Sequence, residues 1–247
     1  MKKIGLLIGL IIICNVGAAW ADPTVKEILQ KKMDIDNSIV AFESKMINEW
    51  YYPETNLISS NTGYIWRKSK NLYRLEAYDE LGAIESTTIS NDTGTYLSNQ
   101  SGTFVMDKRD DPSVPAETPS EEDIIGEDID KFLEYYDGVI KEQNGDIYTL
   151  RITPKDKSVY YQQIWIEEVI DYVKGIELKS LISGVDDSLI TSTEFFDISQ
   201  LDGIWFSKSK TIKTRTENGN IITNIVKYED IKINQNVDDN LFEIEMP

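Results

Sequence analysis

What most constrains this chain is a long series of short stretches rich in Ile, Val, Thr, Tyr, Phe and Trp, cut apart by turn-forming residues. The first set is Ile39–Tyr52, Gly63–Lys68, Asn71–Tyr78, Ile84–Ser90, Thr93–Ser98 and Thr103–Met106. Leu81-Gly82, Asp92–Gly94 and Ser101-Gly102 separate its members. The second set is Val139–Gln143, Tyr148–Thr153, Tyr160–Glu168, Val173–Leu181, Ile190–Ile198, Ile204–Arg215, Ile221–Asn234 and Leu241–Glu245. Its turns fall at Asn144-Gly145, Gly184 and Asn218-Gly219. β-Branched and aromatic residues between Gly and Asn turns are the pattern of an antiparallel meander.

Only two helices are predicted. Asp22 can cap the first and Pro23 fits its first position, with Val25, Ile28, Leu29 and Met33 making one apolar face. Between the two sets, Asp107–Glu122 holds Pro112, Pro115 and Pro119 among acids and reads as a loop. Ser120 with Asp123 three residues on approximates a capping box for the second helix. Ile125, Ile129, Phe132, Leu133 and Tyr136 form its amphipathic stripe, and Gly138 can end it.

The strands are unusual in being apolar on both sides. Tyr64 and Trp66 alternate with Ile65, and Leu72 and Tyr78 lie opposite Tyr73, Leu75 and Ala77. Trp165 lies opposite Ile164 and Ile166, Phe195 opposite Phe196, and Trp205 opposite Ile204 and Phe206. A sheet with one wet face alternates apolar and polar residues, so both faces here want cover. Two helices are too few for both faces of a sheet of about eleven strands. The simplest solution is mainly β with a few helices: an unclosed antiparallel β-barrel, or half-barrel, whose concave side encloses an apolar interior partly plugged by helices. That interior is either a well-filled core or a cavity for lipid or acyl chains. The predicted cavity wall draws on Trp66, Leu75, Phe104, Trp165, Phe196 and Trp205. The face each one takes rests on register, because a one-residue slip turns every side chain over. The helix carrying Ile125, Ile129, Phe132 and Leu133 is predicted to be a lid or plug.

Composition removes other functions. The 247 residues include 43 acids against 25 Lys and Arg, no histidine and one cysteine, Cys14. Without His there is no Ser-His or Cys-His nucleophile, and one Cys supplies no disulfide and no Cys-rich metal site. A net charge of −18 repels phosphate backbones and speaks against nucleic acid as a partner. Acid pairs such as Asp110-Asp111, Asp186-Asp187 and Asp238-Asp239 are what a solvated acidic surface contains. Asp34, Asp36 and Ser38 begin like a calcium loop, but Ile39 stands where its Gly is needed and Lys45 where its bidentate Glu is needed. The expectation is a protein that is not an enzyme and needs no cofactor or metal.

Residues 1–21 read as an export signal. Lys2 and Lys3 precede an apolar run from Ile4 to Ile13, and Ala19-Trp20-Ala21 forms a small-x-small site before Asp22. Cleavage after Ala21 leaves residues 22–247 as a single domain, more acidic still and without cysteine. The competing reading is a lipoprotein signal with Cys14 lipidated, against which Ile13 stands where a small residue is expected.

Three segments carry a family resemblance. Gly63-Tyr64-Ile65-Trp66-Arg67-Lys68-Ser69-Lys70-Asn71-Leu72-Tyr73 resembles the G-x-L-W-x-K-R-P-N-x-F segment of LolA-type outer-membrane lipoprotein carriers. Asn144-Gly145-Asp146-Ile147-Tyr148-Thr149-Leu150, followed by Thr153-Pro154-Lys155, is similar to the family's N-G-x-x-[YF]-x-L…P-K stretch. Tyr228 to Asn234, then Asp239-Asn240-Leu241-Phe242 and Pro247, resembles the closing Y-x-x-x-x-x-N…F-x-F-x-x-P. The resemblance implies an unclosed barrel of about eleven strands covered by helices. It also implies a periplasmic location, acyl chains of lipoproteins or other lipids as ligands, and inner- and outer-membrane transport components as further partners. Ser69 and Lys70 depart from the family's Arg and Pro, the Arg being the residue that helps hold the lid closed; Arg67 and Arg74 are the nearby arginines that could compensate. RseB-like envelope-stress regulators resemble LolA in fold and supply the alternative function, a sensory or protein-interaction domain on the same scaffold.

Overall fold

A computed structural model describes residues 22–69, 72–108, 129–155, 164–184, 188–216 and 218–244. The export signal with Cys14, the Ser120–Asp123 box and Ile125 lie outside these residues. The first helix, α1, spans Val25–Ser38, and its cap is Thr24 rather than Asp22. Thr24 Oγ1 accepts from the Glu27 N–H at 3.2 Å while the Glu27 carboxylate accepts from the Thr24 N–H at 2.7 Å. This reciprocal box satisfies two orphan donors at once, which a lone Asp before Pro23 does not.

Thirteen strands follow: β1 Ala41–Tyr52, β2 Leu57–Lys68, β3 Leu72–Tyr78, β4 Ile84–Asn91, β5 Gly94–Asn99, β6 Gly102–Lys108, β7 Tyr136–Asn144, β8 Ile147–Pro154, β9 Ile164–Asp171, β10 Ile176–Gly184, β11 Leu189–Leu201, β12 Ile204–Arg215 and β13 Ile221–Ile233. The second helix among the described residues, α2, is Ile129–Tyr135, directly before β7. All thirteen strands join one antiparallel sheet in the order β6-β5-β4-β3-β2-β1-β13-β12-β11-β10-β9-β8-β7. The first and last strands meet in the middle, β6 and β7 are the outer edges, and the sheet is an open half-barrel. The expected last strand at Leu241–Glu245 is instead a 3₁₀ turn over Asp239–Phe242, begun by Asp238, whose side chain accepts from the Asn240 N–H.

Gly138 does not end α2. It lies inside β7, where a β-carbon would sit 2.6 Å from Val25 Cγ1, so the glycine lets α1 press onto the strand. The end of α2 is held from β8 and the residue after it: Lys155 Nζ donates to the Leu133 carbonyl at 2.6 Å and its N–H to that of Tyr135 at 2.9 Å. A cation on terminal carbonyls is the favourable sign for a helix dipole.

Pairing and alternation define two faces. On one, Tyr148, Leu150 and Ile152 of β8 and Ile166 and Ile170 of β9 pack against Ile28, Leu29 and Met33 of α1 and Ile129 and Phe132 of α2. Phe132 stacks on Tyr136 with ring centroids 4.8 Å apart. Each large apolar side chain buried here contributes about 1.5–3 kcal/mol. The other face is covered by the C-terminal tail. Val237, Leu241 and Phe242 pack with Ala41 on Trp66 and Leu72. Lys68 pairs with Asp239 at 2.5 Å, Arg74 donates to the Leu241 carbonyl at 3.0 Å, and Asn91 to that of Phe242 at 3.1 Å. The tail thus covers the Trp66 and Leu72 side of β2 and β3.

Candidate functional site

The helix-bearing face ends in a pocket. β2 pairs with β3 only from Thr62 onwards, so Leu57 to Asn61 pair with β1 alone. β13 and β12 run out beside them to the turn at 216–220. The two turns, 53–56 and 216–220, approach each other at this end, and Asn220 Nδ2 donates to Glu54 Oε1 across the gap. Between them lies a pocket of about 340 Å³. Tyr52, Pro53, Leu57 and Ile222 give it apolar walls, and Glu54, Thr55, Ser59, Thr216 and Asn220 bring polar groups. Alternation from Trp50, which faces Ser59 on β2 and Asn224 on β13, places Tyr52, Leu57, Ser59 and Ile222 on the helix-bearing face. The volume lies at the lower end of the range for sites that take a small molecule or chain.

Beneath the helices the gap enclosed by described residues is small. The gap bounded by Leu29, Met33, Ile129, Phe132, Ile152, Lys32 and Glu168 is about 10 Å³, no more than one water. A charged trio sits here: Lys32 Nζ lies 2.8 Å from Glu168 Oε1 and 3.1 Å from Glu177 Oε2. Burial disfavours the charge on Lys32, but the two carboxylates outweigh it and hold its pKa well above the usual lysine value. Burial pushes the Glu168 carboxyl up, with Lys32 pulling the other way and Glu177 adding to the rise. On the tail-covered face, Arg74 pairs with Glu76 at 2.8 Å through Nε, and Tyr78 donates its hydroxyl to the same carboxylate. Burial, then that hydrogen bond, pushes the Tyr78 phenol up to about 12.

The six residues predicted to line one cavity are divided between the faces. Leu75 and Phe104 lie on the helix-bearing face, connected by the pairs Leu75–Thr88, Thr88–Leu97 and Leu97–Phe104. Trp66, Trp165, Phe196 and Trp205 alternate onto the other. Trp66 is under the tail, Trp165 carries the Arg151 guanidinium 3.8 Å above its ring, and the Lys174 ammonium is 5.3 Å from the ring of Trp205. Phe196 is exposed. None of the six lines the pocket. Of the predicted lid residues, Ile129 and Phe132 are buried and Leu133 is partly buried in the helix-packed core. Arg67, one of the two cations near the altered K-R-P turn, reaches the Ile39 carbonyl just past α1 at 3.4 Å, and Arg74 serves the tail.

The glycine and asparagine of the segments that carry the family resemblance have structural work. A β-carbon at Gly63 would lie 2.7 Å from the Glu76 carbonyl oxygen. Asn234 accepts from the Val40 and Ala41 N–H groups and donates to the Ser38 carbonyl, tying the end of β13 to the α1–β1 junction.

Solved structures share this fold. A LolA superfamily protein of Nitrosomonas europaea superposes with a TM-score of 0.61 at 15% identity, covering 90% of this chain and 99% of its own. A DUF1329 family protein of Desulfovibrio piger gives 0.64 at 15% identity, covering 88% and 95%. A domain of Vibrio parahaemolyticus, assigned to the outer-membrane lipoprotein-sorting proteins, gives 0.58 at 16% identity over 88% and 95%. No family model matches the sequence, and no curated relative was found. The chain has the LolA-like fold.

Proposed function

We propose that this protein is a carrier of the bacterial envelope that holds acyl chains of lipoproteins or other lipids and carries out no covalent chemistry. The observation that carries this reading is the pocket of about 340 Å³ with walls of Tyr52, Leu57 and Ile222 on the helix-bearing face of a LolA-like half-barrel. In this reading residues 1–21 direct export and the mature chain starts at Asp22 in the periplasm. Hydrophobic burial is non-directional, so such walls accept chains of several lengths.

The test is native mass spectrometry of the protein recovered from its own envelope, with extraction of any retained lipid, and titration with uncharged fluorescent acyl probes. A retained acylated species is expected, with affinity rising as the probe lengthens, since each buried methylene adds about 0.8 kcal/mol until the pocket is filled. Neither retained lipid nor probe binding would overturn the carrier reading. The RseB-like interaction domain on the same scaffold would then be the better account.

A further inference from the structure

We infer that the pocket selects chains whose polar end is uncharged or cationic and discriminates against free carboxylates and phosphates; this rests on the carrier reading. Among the described residues of the lining Glu54 is the one charged side chain, with no Lys and no Arg beside it. Asn220 holds it at the gap between the two turns, where a chain entering along Leu57 and Ile222 leaves its polar end. The other polar groups there are the Thr55, Ser59 and Thr216 hydroxyls and the Asn220 amide. These groups donate and accept, and they match esters, amides, hydroxyls and amines. An anionic end would sit beside a carboxylate with no cation in the lining to offset it. Arg215 ends β12 just before this turn, but its guanidinium lies by Gly219 and it is not among the lining residues. The chain's net charge of −18 adds a long-range field of the same sign. Two like charges about 4 Å apart in this setting cost roughly fivefold in affinity or more at low salt, and less as salt screens them.

The experiment compares three ligands with the same dodecyl-length chain: a neutral lauroyl glycerol, dodecylamine and laurate. Each displaces an uncharged fluorescent acyl probe from the wild-type protein and from Glu54→Gln, at low and high salt. Glu54 is exposed in a turn, so the variant keeps the fold. Laurate is expected to bind about fivefold or more weakly than lauroyl glycerol, and dodecylamine at least as tightly. High salt and Glu54→Gln each bring the three together. Laurate binding as tightly as the neutral ligand, or a ratio unmoved by Glu54→Gln, overturns the inference while leaving the carrier reading intact. Failure of the probe itself to bind takes both down.

Discussion

Two regions of one sheet face have opposite characters. Over β8 and β9 the face is sealed by α1 and α2, and the gap left is about 10 Å³. At the outer ends of β1, β2, β12 and β13 no helix of the described residues reaches it, and a pocket of about 340 Å³ stays open. The sequence posed a filled core and a cavity as alternatives for one interior; on this face they lie side by side. The sealed region combines stacked aromatics, alternating aliphatics and a buried charged trio. The open region has exposed strand ends, with Leu57 54% exposed and Ile58 71% exposed. Stability is therefore concentrated in one region, and the proposed ligand site lies in the other, so substitutions should separate them.

The largest effects are expected in the sealed region. Lys32→Met leaves Glu168 and Glu177 buried without their cation, and breaking a buried pair from one side costs about 3–5 kcal/mol. Phe132→Ala removes a stacked, fully packed ring and costs about 3–5 kcal/mol. Denaturant unfolding measures both. The lysine variant also carries a pH signature. Glu168 already has a carboxyl pKa raised above 4.5 by burial. A raised carboxyl holds its proton more tightly when folded, so its contribution to stability is full below 4.5 and is lost as pH rises through the folded value. Removing the Lys32 charge raises Glu168 further. The loss from Lys32→Met should thus be smallest near pH 4.5 and grow towards neutrality, whereas the loss from Phe132→Ala should not follow this course. A pH-independent loss for Lys32→Met would break the electrostatic account of the seal.

A middle-sized effect is expected where α1 touches β7. Gly138→Ala places a methyl 2.6 Å from Val25 Cγ1, and overpacking of this kind costs about 1–3 kcal/mol. Shortening the neighbour in Gly138→Ala/Val25→Ala should recover most of the loss. If the double variant is no more stable than Gly138→Ala alone, close approach of helix and strand is not the reason for this glycine.

The sealed region was far more legible in the sequence than the open one. Tyr148, Leu150 and Ile152 alternate with polar residues, and Ile28, Leu29 and Met33 share a helical face, so period alone points both inward. Lys32 lies among them at helical spacing, but a lysine carries no local sign that two carboxylates from β9 and β10 await it. The predicted stretch starts only at Gly63, because Ser59-Ser60-Asn61-Thr62 is polar, whereas β2 begins at Leu57 and pairs with β1 alone as far as Asn61, the part that lines the pocket. Trp66, Trp165 and Trp205 are predicted to line a cavity, yet their neighbours are the tail, Arg151 and Lys174, which local sequence does not reveal. The apolar Leu241-Phe242 pair suggests a strand in the tail; the cap at Asp238 is the contrary local signal. Gly138 looked like a helix stop because a glycine demanded by a distant Val25 and one demanded by a local turn are written alike.

The smallest effect on stability belongs to the open region, and it makes the sharpest contrast. Leu57→Asp changes a side chain that is 54% exposed on a strand end paired on one side only, so stability should stay within about 0.5 kcal/mol of wild type. In the pocket the same change removes an apolar wall and sets a second carboxylate near Glu54. Losing half of a buried leucine's contact is worth about 1 kcal/mol, roughly fivefold in affinity, before any cost of bringing a chain against a charge. An uncharged acyl probe should therefore bind at least fivefold more weakly to Leu57→Asp, at unchanged unfolding midpoint. Phe132→Ala should show the reverse: a lowered midpoint, with probe affinity close to wild type wherever the protein remains folded. If instead Leu57→Asp binds normally and folded Phe132→Ala does not, the ligand enters beneath the helices. The gap of about 10 Å³ must then open to admit it, and the helices are a gate over the binding space rather than a permanent seal.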